Sequence, residues 1–267
     1  MTDKPRLVYF GWSCFSVETS QGVLLFDPFF RPECGAEWAH LKDFTRTNII
    51  CITHGHHEHY LDTPVVAKKT GAAIVASMEI CDHLESRHGI NSSQLKPINP
   101  GQTLELHGFR ITAFEWRHRT INLWKAFFGG GILHGLKFVY DGMIQSPYST
   151  RKFGYHLETP GGTTILNYCE GLNDNMVVEE VRKLGQAFRT DVLLTGYQLD
   201  FEKYVGLGVA ALAPRKAVLF HPHEKLFAKI GIPTAPLDRF IENIKQSAPD
   251  TEIILSRPGA PVAYGEL

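Results

Sequence analysis

In the first third of the chain, apolar residues alternate with polar ones or fall in short unbroken runs, the signature of strands. Leu7-Val8-Tyr9-Phe10 leads through Gly11 to Cys14-Phe15-Ser16-Val17-Glu18. Gln21-Gly22 predicts the turn into Val23-Leu24-Leu25-Phe26, which ends at Asp27-Pro28. Asn48-Ile49-Ile50-Cys51-Ile52 is the kind of run that forms a strand buried on both faces. Helix patterns over 62–70 and 79–88 flank a strand at 72–76. A second series opens at 109–114 and continues through strands at 154–158 and 163–168, joined by a Pro160-Gly161-Gly162 turn. Helices at about 174–187 and 203–212 then alternate with strands at 192–194 and 217–220, before a helix at 237–247 and a strand at 252–255.

Strands rich in hairpins, followed by strand–helix alternation and repeated once, predict an α/β architecture of two packed sheets with helices outside. No linker divides the 267 residues, which are read as one domain. One segment breaks the rhythm. Residues 119–152 form an insertion rich in aromatics and glycine, including Trp124, Phe127, Phe128 and Gly129-Gly130-Gly131. A segment of that length is either a lid over a site or an extra helical hairpin closing a surface or a dimer contact.

Composition narrows the function classes. With 43% hydrophobic and 21% charged residues the chain is globular, and its net charge of -1 gives no footprint for nucleic acid. Neither a signal-peptide core nor a run of membrane-spanning length is present. The cysteines (14, 34, 51, 81 and 169) are odd in number and form no C-x-x-C pair, as expected of free thiols in a cytoplasmic protein. A small-molecule substrate is the expected partner, with a homo-oligomer left open.

The decisive feature is Thr53-His54-Gly55-His56-His57-Glu58-His59, placed directly after the buried run ending at Ile52. Imidazole nitrogens and carboxylate oxygens are the donors that zinc and its neighbours prefer. So many in one loop would leave ring nitrogens unpaired in a core without a metal to take them.

This cluster resembles the H-x-H-x-D-H signature of the metallo-β-lactamase superfamily, with His57 in a variable position and Glu58 where aspartate is usual. The resemblance implies a four-layered αββα sandwich of two mixed β-sheets flanked by helices, holding two divalent metal ions. Carried over, His54 and His56 ligate the first ion, and Glu58 and His59 the second. The further ligands implied are His118 after its strand, Glu170 in the Tyr168-Cys169-Glu170-Gly171 turn, and His221 after Val218-Leu219-Phe220, with His223 a rival for the last position. The opening Tyr9–Phe15 segment and Leu24-Leu25-Phe26-Asp27-Pro28 look like the branch containing the ascorbate-6-phosphate lactonases and related hydrolases, in which Asp27 would support the metal loop. Of the remaining histidines, His40, His83, His88, His107, His134 and His156 read as surface or satisfied core residues. His57 reads as a partner of a ligand or as solvent-exposed.

The family pattern implies a metal-bound hydroxide that cleaves a lactone, ester or phosphoester, with Glu58, His59 and His221 as catalytic residues, and the aromatic insertion following His118 favours a substrate with a hydrophobic part. Zinc is the expected ion, with manganese and iron as alternatives. Glutamate at both expected aspartate positions, 58 and 170, leaves three readings: unaltered chemistry, a site reshaped for manganese or iron, or a weakened second site. A di-iron oxygenase on the same fold is the rival activity, and an inactive scaffold with a binding role the non-enzymatic one.

Overall fold

A computed structural model describes residues 4–30, 39–119, 136, 140, 145–147, 150–220 and 235–257. Most of the 119–152 insertion, together with His221, His223 and Cys34, lies outside these described residues.

Two mixed sheets form the centre. The first has the order β1 (Arg6–Gly11), β2 (Cys14–Glu18), β3 (Val23–Phe26), β4 (Ile49–Cys51), β5 (Ala73–Ala76) and β6 (Leu95–Pro97). Its first three strands pair antiparallel and β3 to β6 pair parallel. The second sheet runs β7 (Thr103–Leu106), β8 (Phe109–Glu115), β9 (Phe153–Glu158), β10 (Thr164–Cys169), β11 (Val192–Gly196), β12 (Lys216–Phe220) and β13 (Glu252–Leu255). It repeats the scheme: antiparallel to β10, parallel beyond it.

Side-chain alternation along each strand divides the core into layers. Leu7, Tyr9, Leu24, Phe26, Ile49 and Cys51 face Ile111, Tyr155, Ile165, Val192, Leu194 and Phe220 between the sheets. Val8, Phe10, Leu25, Ile50 and Ile74 point to the other side of the first sheet, under α2 (Thr63–Thr70) and α3 (Met78–His88). Leu166, Leu193, Ala217 and Leu219 point outward from the second sheet, under α4 (Val178–Ala187), α5 (Glu202–Leu212) and α6 (Leu237–Ser247). The result is the four-layered αββα sandwich of the sequence reading. Each wholly buried Leu, Ile or Phe contributes about 1.5–3 kcal/mol of transfer free energy, so both faces of the central strands drive the layering.

Tyr155 ties the sheets polarly as well. Its buried hydroxyl lies 2.7 Å from the Ile52 carbonyl and 3.2 Å from that of Val75. In the outer layer Gly185 lets α4 approach α5, because a Cβ there would meet the Ala211 carbonyl oxygen at 2.5 Å.

The predicted strands and helices appear at nearly the predicted limits, and the Pro160–Gly162 turn closes with Gly162 at φ 82. Two strands go beyond the sequence reading. In β6 (Leu-Lys-Pro) no residue is buried, and β7 (Thr-Leu-Glu-Leu) is an edge whose alternate positions are exposed. The His57–Tyr60 segment, read as loop, forms α1, one helical turn. Among the described residues, no helix is long and apolar enough to cross a membrane.

Candidate metal centre

Strand direction sets the location of the site. β3, β4, β8 and β10 end at one rim of the sandwich, where they deliver Asp27, His54, His118 and Glu170 respectively. Backbone bonds lock the rim: Asp27 N–H donates to the Cys51 carbonyl at 3.0 Å, and Phe153 N–H to that of Thr53 at 2.8 Å, joining the two sheets at the start of the histidine loop. Gly55 is required by close approach, since a Cβ would sit 2.1 Å from the Pro147 carbonyl oxygen. Its N–H donates to Thr150 Oγ1 at 2.8 Å. The last residues of the insertion therefore press on the loop between His54 and His56.

Three imidazoles converge here. His54, His56 and His118 each offer a nitrogen, all within 4.8 Å of one another. His54 Nε2 lies 3.1 Å from His56 Nδ1. The His118 and His56 rings are 4.7 Å apart. Burial, reinforced by the neighbouring histidines, holds His54 well below the ordinary imidazole range. His56 is lowered to about 3, again chiefly by burial and against the pull of Glu58. Burial also lowers His118, with Glu170 opposing. All three are thus neutral near pH 7, the state in which a nitrogen lone pair can accept a metal.

His59 has the opposite setting. Its Nδ1 lies 2.9 Å from Asp27 Oδ2 and 2.7 Å from Ser13 Oγ, while the Trp12 indole N–H points at its Nε2 from 3.4 Å. Burial disfavours its charge, but Cys169 and Asp27 outweigh that and hold its pKa well above the ordinary range. Burial pushes the Cys169 thiol up to about 11, so it is neutral near pH 7 and Asp27 is the anion that acts on His59. Asp27 is itself wholly buried and accepts from Thr53 N–H and Thr53 Oγ1, both at 2.7 Å, and from Ser13 Oγ at 2.9 Å. The sequence reading placed Asp27 behind the metal loop, and this network is where the structure places it.

Cys169 was not singled out, yet His54, His59 and Cys169 also offer donor atoms that all lie within 4.8 Å of one another. Trp12, Asp27 and Cys169, with φ of 53, 42 and 52, all surround His59 in the left-handed region. Such conformations cost on the order of 1 kcal/mol each for non-glycine residues and concentrate at functional sites. No sequence signal marked Cys169 beyond its place beside Glu170.

Each of the two glutamates approaches one histidine of the trio. Glu58 lies 2.9 Å from His57 Nδ1 and 3.9 Å from His56 Nδ1. Its pKa is well below the carboxylate range, because His57, closely paired with it, outweighs the cost of burial. Glu170 Oε2 lies 3.8 Å from His118 Nε2. Trp116 stacks on His118 and meets His54 edge-on. It also lines a mixed cavity of about 390 Å³ in which Phe114, Tyr168 and Val181 meet the charged Glu115, Arg117 and Glu180.

The donor set fits a divalent cation. Neutral imidazoles with nitrogens this close can approach one ion at the 2.0–2.1 Å of a zinc–nitrogen bond after small rotations. The Asp27–His59 contact supplies the carboxylate–imidazole support common behind metal ligands.

The chain is 35% identical over 119 residues to a metal-dependent hydrolase of Brucella ovis, a match covering 44% of this chain and 49% of that one. It thus spans about half the length of the curated relatives it matches. Among solved structures it is similar to Igni18, a metallo hydrolase of the archaeon Ignicoccus hospitalis, with a TM-score of 0.69 at 20% identity over 97% of both chains. It is also similar in fold to CmlA, a diiron β-hydroxylase of Streptomyces venezuelae, with a TM-score of 0.61 at 13% identity over 96% of this chain and 53% of that one. The family model for the beta-lactamase superfamily domain matches residues 23–166, more than half of the chain, and the protein belongs to that superfamily, with the metallo-β-lactamase fold.

Proposed function

We propose that the protein is a metal-dependent hydrolase acting on a lactone, ester or phosphoester. The observation that carries this reading is the trio of buried, neutral imidazoles of His54, His56 and His118 beside the Asp27-supported His59. His54, His56 and His118 hold one divalent ion. His59 and Cys169, with Glu58, Glu170 and His221 from the sequence reading, are the residues available to a second. A bound divalent ion supplies Lewis acidity and brings the pKa of water toward neutrality.

The chain's own groups supply positioning. Asp27 and Ser13 fix the His59 ring so that Nε2 faces away from the carboxylate. Glu170, whose carboxylate lies 3.8 Å from His118 Nε2, is the group that holds a proton during turnover, whereas Glu58 is kept ionised by His57. Trp116 excludes water from one side of the histidines. The insertion, whose last residues already press on Gly55, acts as the cap.

Metal analysis of protein purified without a chelating tag tests this reading, together with a panel of lactones, esters and phosphoesters. Between one and about two zinc or manganese ions per chain, with hydrolysis of one substrate class, is the expected outcome. Iron with dioxygen consumption would replace the hydrolase by the di-iron oxidation reading. A chain that takes up no metal after reconstitution would end both.

A further inference from the structure

Lys152 is a half-buried cation beside the histidine loop, and among the described residues no anion is paired with it. Its backbone links the two sheets at the site: its carbonyl accepts from Trp116 N–H at 3.0 Å, and the next residue, Phe153, donates to Thr53 at 2.8 Å. Its ammonium bonds the Thr150 carbonyl, and the Thr150 hydroxyl accepts from Gly55 N–H in the middle of the histidine loop. From this position its charge acts on His54, His56 and His118. The neighbouring Arg151 differs in kind, because Glu115 takes it in a two-pronged ion pair at 3.1 and 2.7 Å out in solvent. Among the described residues no carboxylate pairs with Lys152, and burial alone acts on it, lowering its pKa.

A half-buried ammonium beside a site built for a divalent cation adds positive charge to positive charge. Among the described residues no carboxylate offsets it, so the compensating anion is expected to arrive with the ligand. We propose that Lys152 is the anion anchor of the site, and that the substrate carries an oxyanion group, a carboxylate or a phosphate, bound between Lys152 and the histidine rim. Other hydrolysable groups of the same size but without charge would leave the ammonium unpaired and bind poorly. This inference rests on the hydrolase reading for its meaning but not for its test.

Inorganic phosphate is the probe, titrated calorimetrically into the full chain with its metal content measured in each sample. The wild type is expected to bind phosphate, and K152M to bind it about ten- to hundredfold more weakly at unchanged metal content, the range of a hydrogen bond to a charged group. K152R, which keeps the charge, retains most of the affinity. Phosphate binding that is absent from the wild type, equal in K152M, or lost equally in K152R and K152M would overturn the assignment. So would loss of metal in K152M, which would make the position structural. Phosphate binding needs no turnover. A chain that binds it through Lys152 yet hydrolyses nothing keeps the anchor and loses the hydrolase, and the titration can be run on metal-free protein if no metal is taken up.

Discussion

The His54–His56–His118 trio and the surroundings of His59 share one loop and one rim, but burial is answered differently in each. Around the trio burial outweighs the pull of Glu58 and Glu170, and desolvation with mutual repulsion keeps the imidazoles neutral. Around His59 a fully buried carboxylate is supplied, and the imidazole is pushed toward its charged form. The backbone shows the same contrast: the three left-handed residues Trp12, Asp27 and Cys169 gather around His59. The first arrangement is ready for a cation at neutral pH. The second must give up a proton to bind one, and depends on its supporting carboxylate to stay aligned.

Removing the residue the two arrangements share should have the largest effect. His54 belongs to both groups of donors, whereas His118 belongs only to the first. His54→Ala is expected to abolish metal retention altogether, a loss beyond the roughly 10–100-fold typical of removing an outer partner. His118→Ala should spare part of it. Metal content after dialysis against a weak chelator measures both. Equal retention in the two variants would break the idea of a shared ligand.

Asp27→Asn comes next. The amide keeps the shape but removes the charge that holds His59. Affinity for one metal equivalent should fall about 10–100-fold while the trio's equivalent is unaffected. Competition with a chromogenic chelator would resolve the two equivalents. A uniform loss would mean that Asp27 acts through Thr53 and the whole loop rather than through His59.

These contrasts were unevenly legible in the sequence. The layers were readable because alternation along Val8-Tyr9-Phe10 or Leu24-Leu25-Phe26 assigns each side chain to a face before any contact is known. The histidine loop was readable because its donors are contiguous. Asp27 could be placed behind the loop only by resemblance, while its donors come from Ser13, Thr53, His59 and Cys169, which only folding brings together. Cys169 was passed over for a related reason. Its role depends on a left-handed backbone at the end of β10, and the turn that Gly171 announces does not say that Cys169 is the residue to adopt it. Lys152 was likewise one charge among many until Thr150 and Gly55 fixed its position.

The smallest effect is a pH dependence of the metal-free protein, and its sign discriminates between the two arrangements. His56 has a folded pKa of about 3 against 6.5 as its ordinary value. Between those values the unfolded chain binds the proton and the folded chain does not. Its contribution to stability is therefore present above pH 6.5 and is lost as pH falls toward 3. From pH 7 to 5.5 the loss amounts to about 1 kcal/mol for one such histidine. His59, with its raised pKa, works the other way: its contribution is complete below 6.5 and fades as pH rises through its folded value. Urea unfolding of metal-free wild type and His56→Gln at the two pH values isolates the first term, since Gln cannot titrate. The stability advantage of the wild type should shrink by about 1 kcal/mol on acidification. If the advantage instead stayed flat or grew, His56 would have to be charged in the folded protein, and the trio would no longer be a neutral receptor set apart from His59.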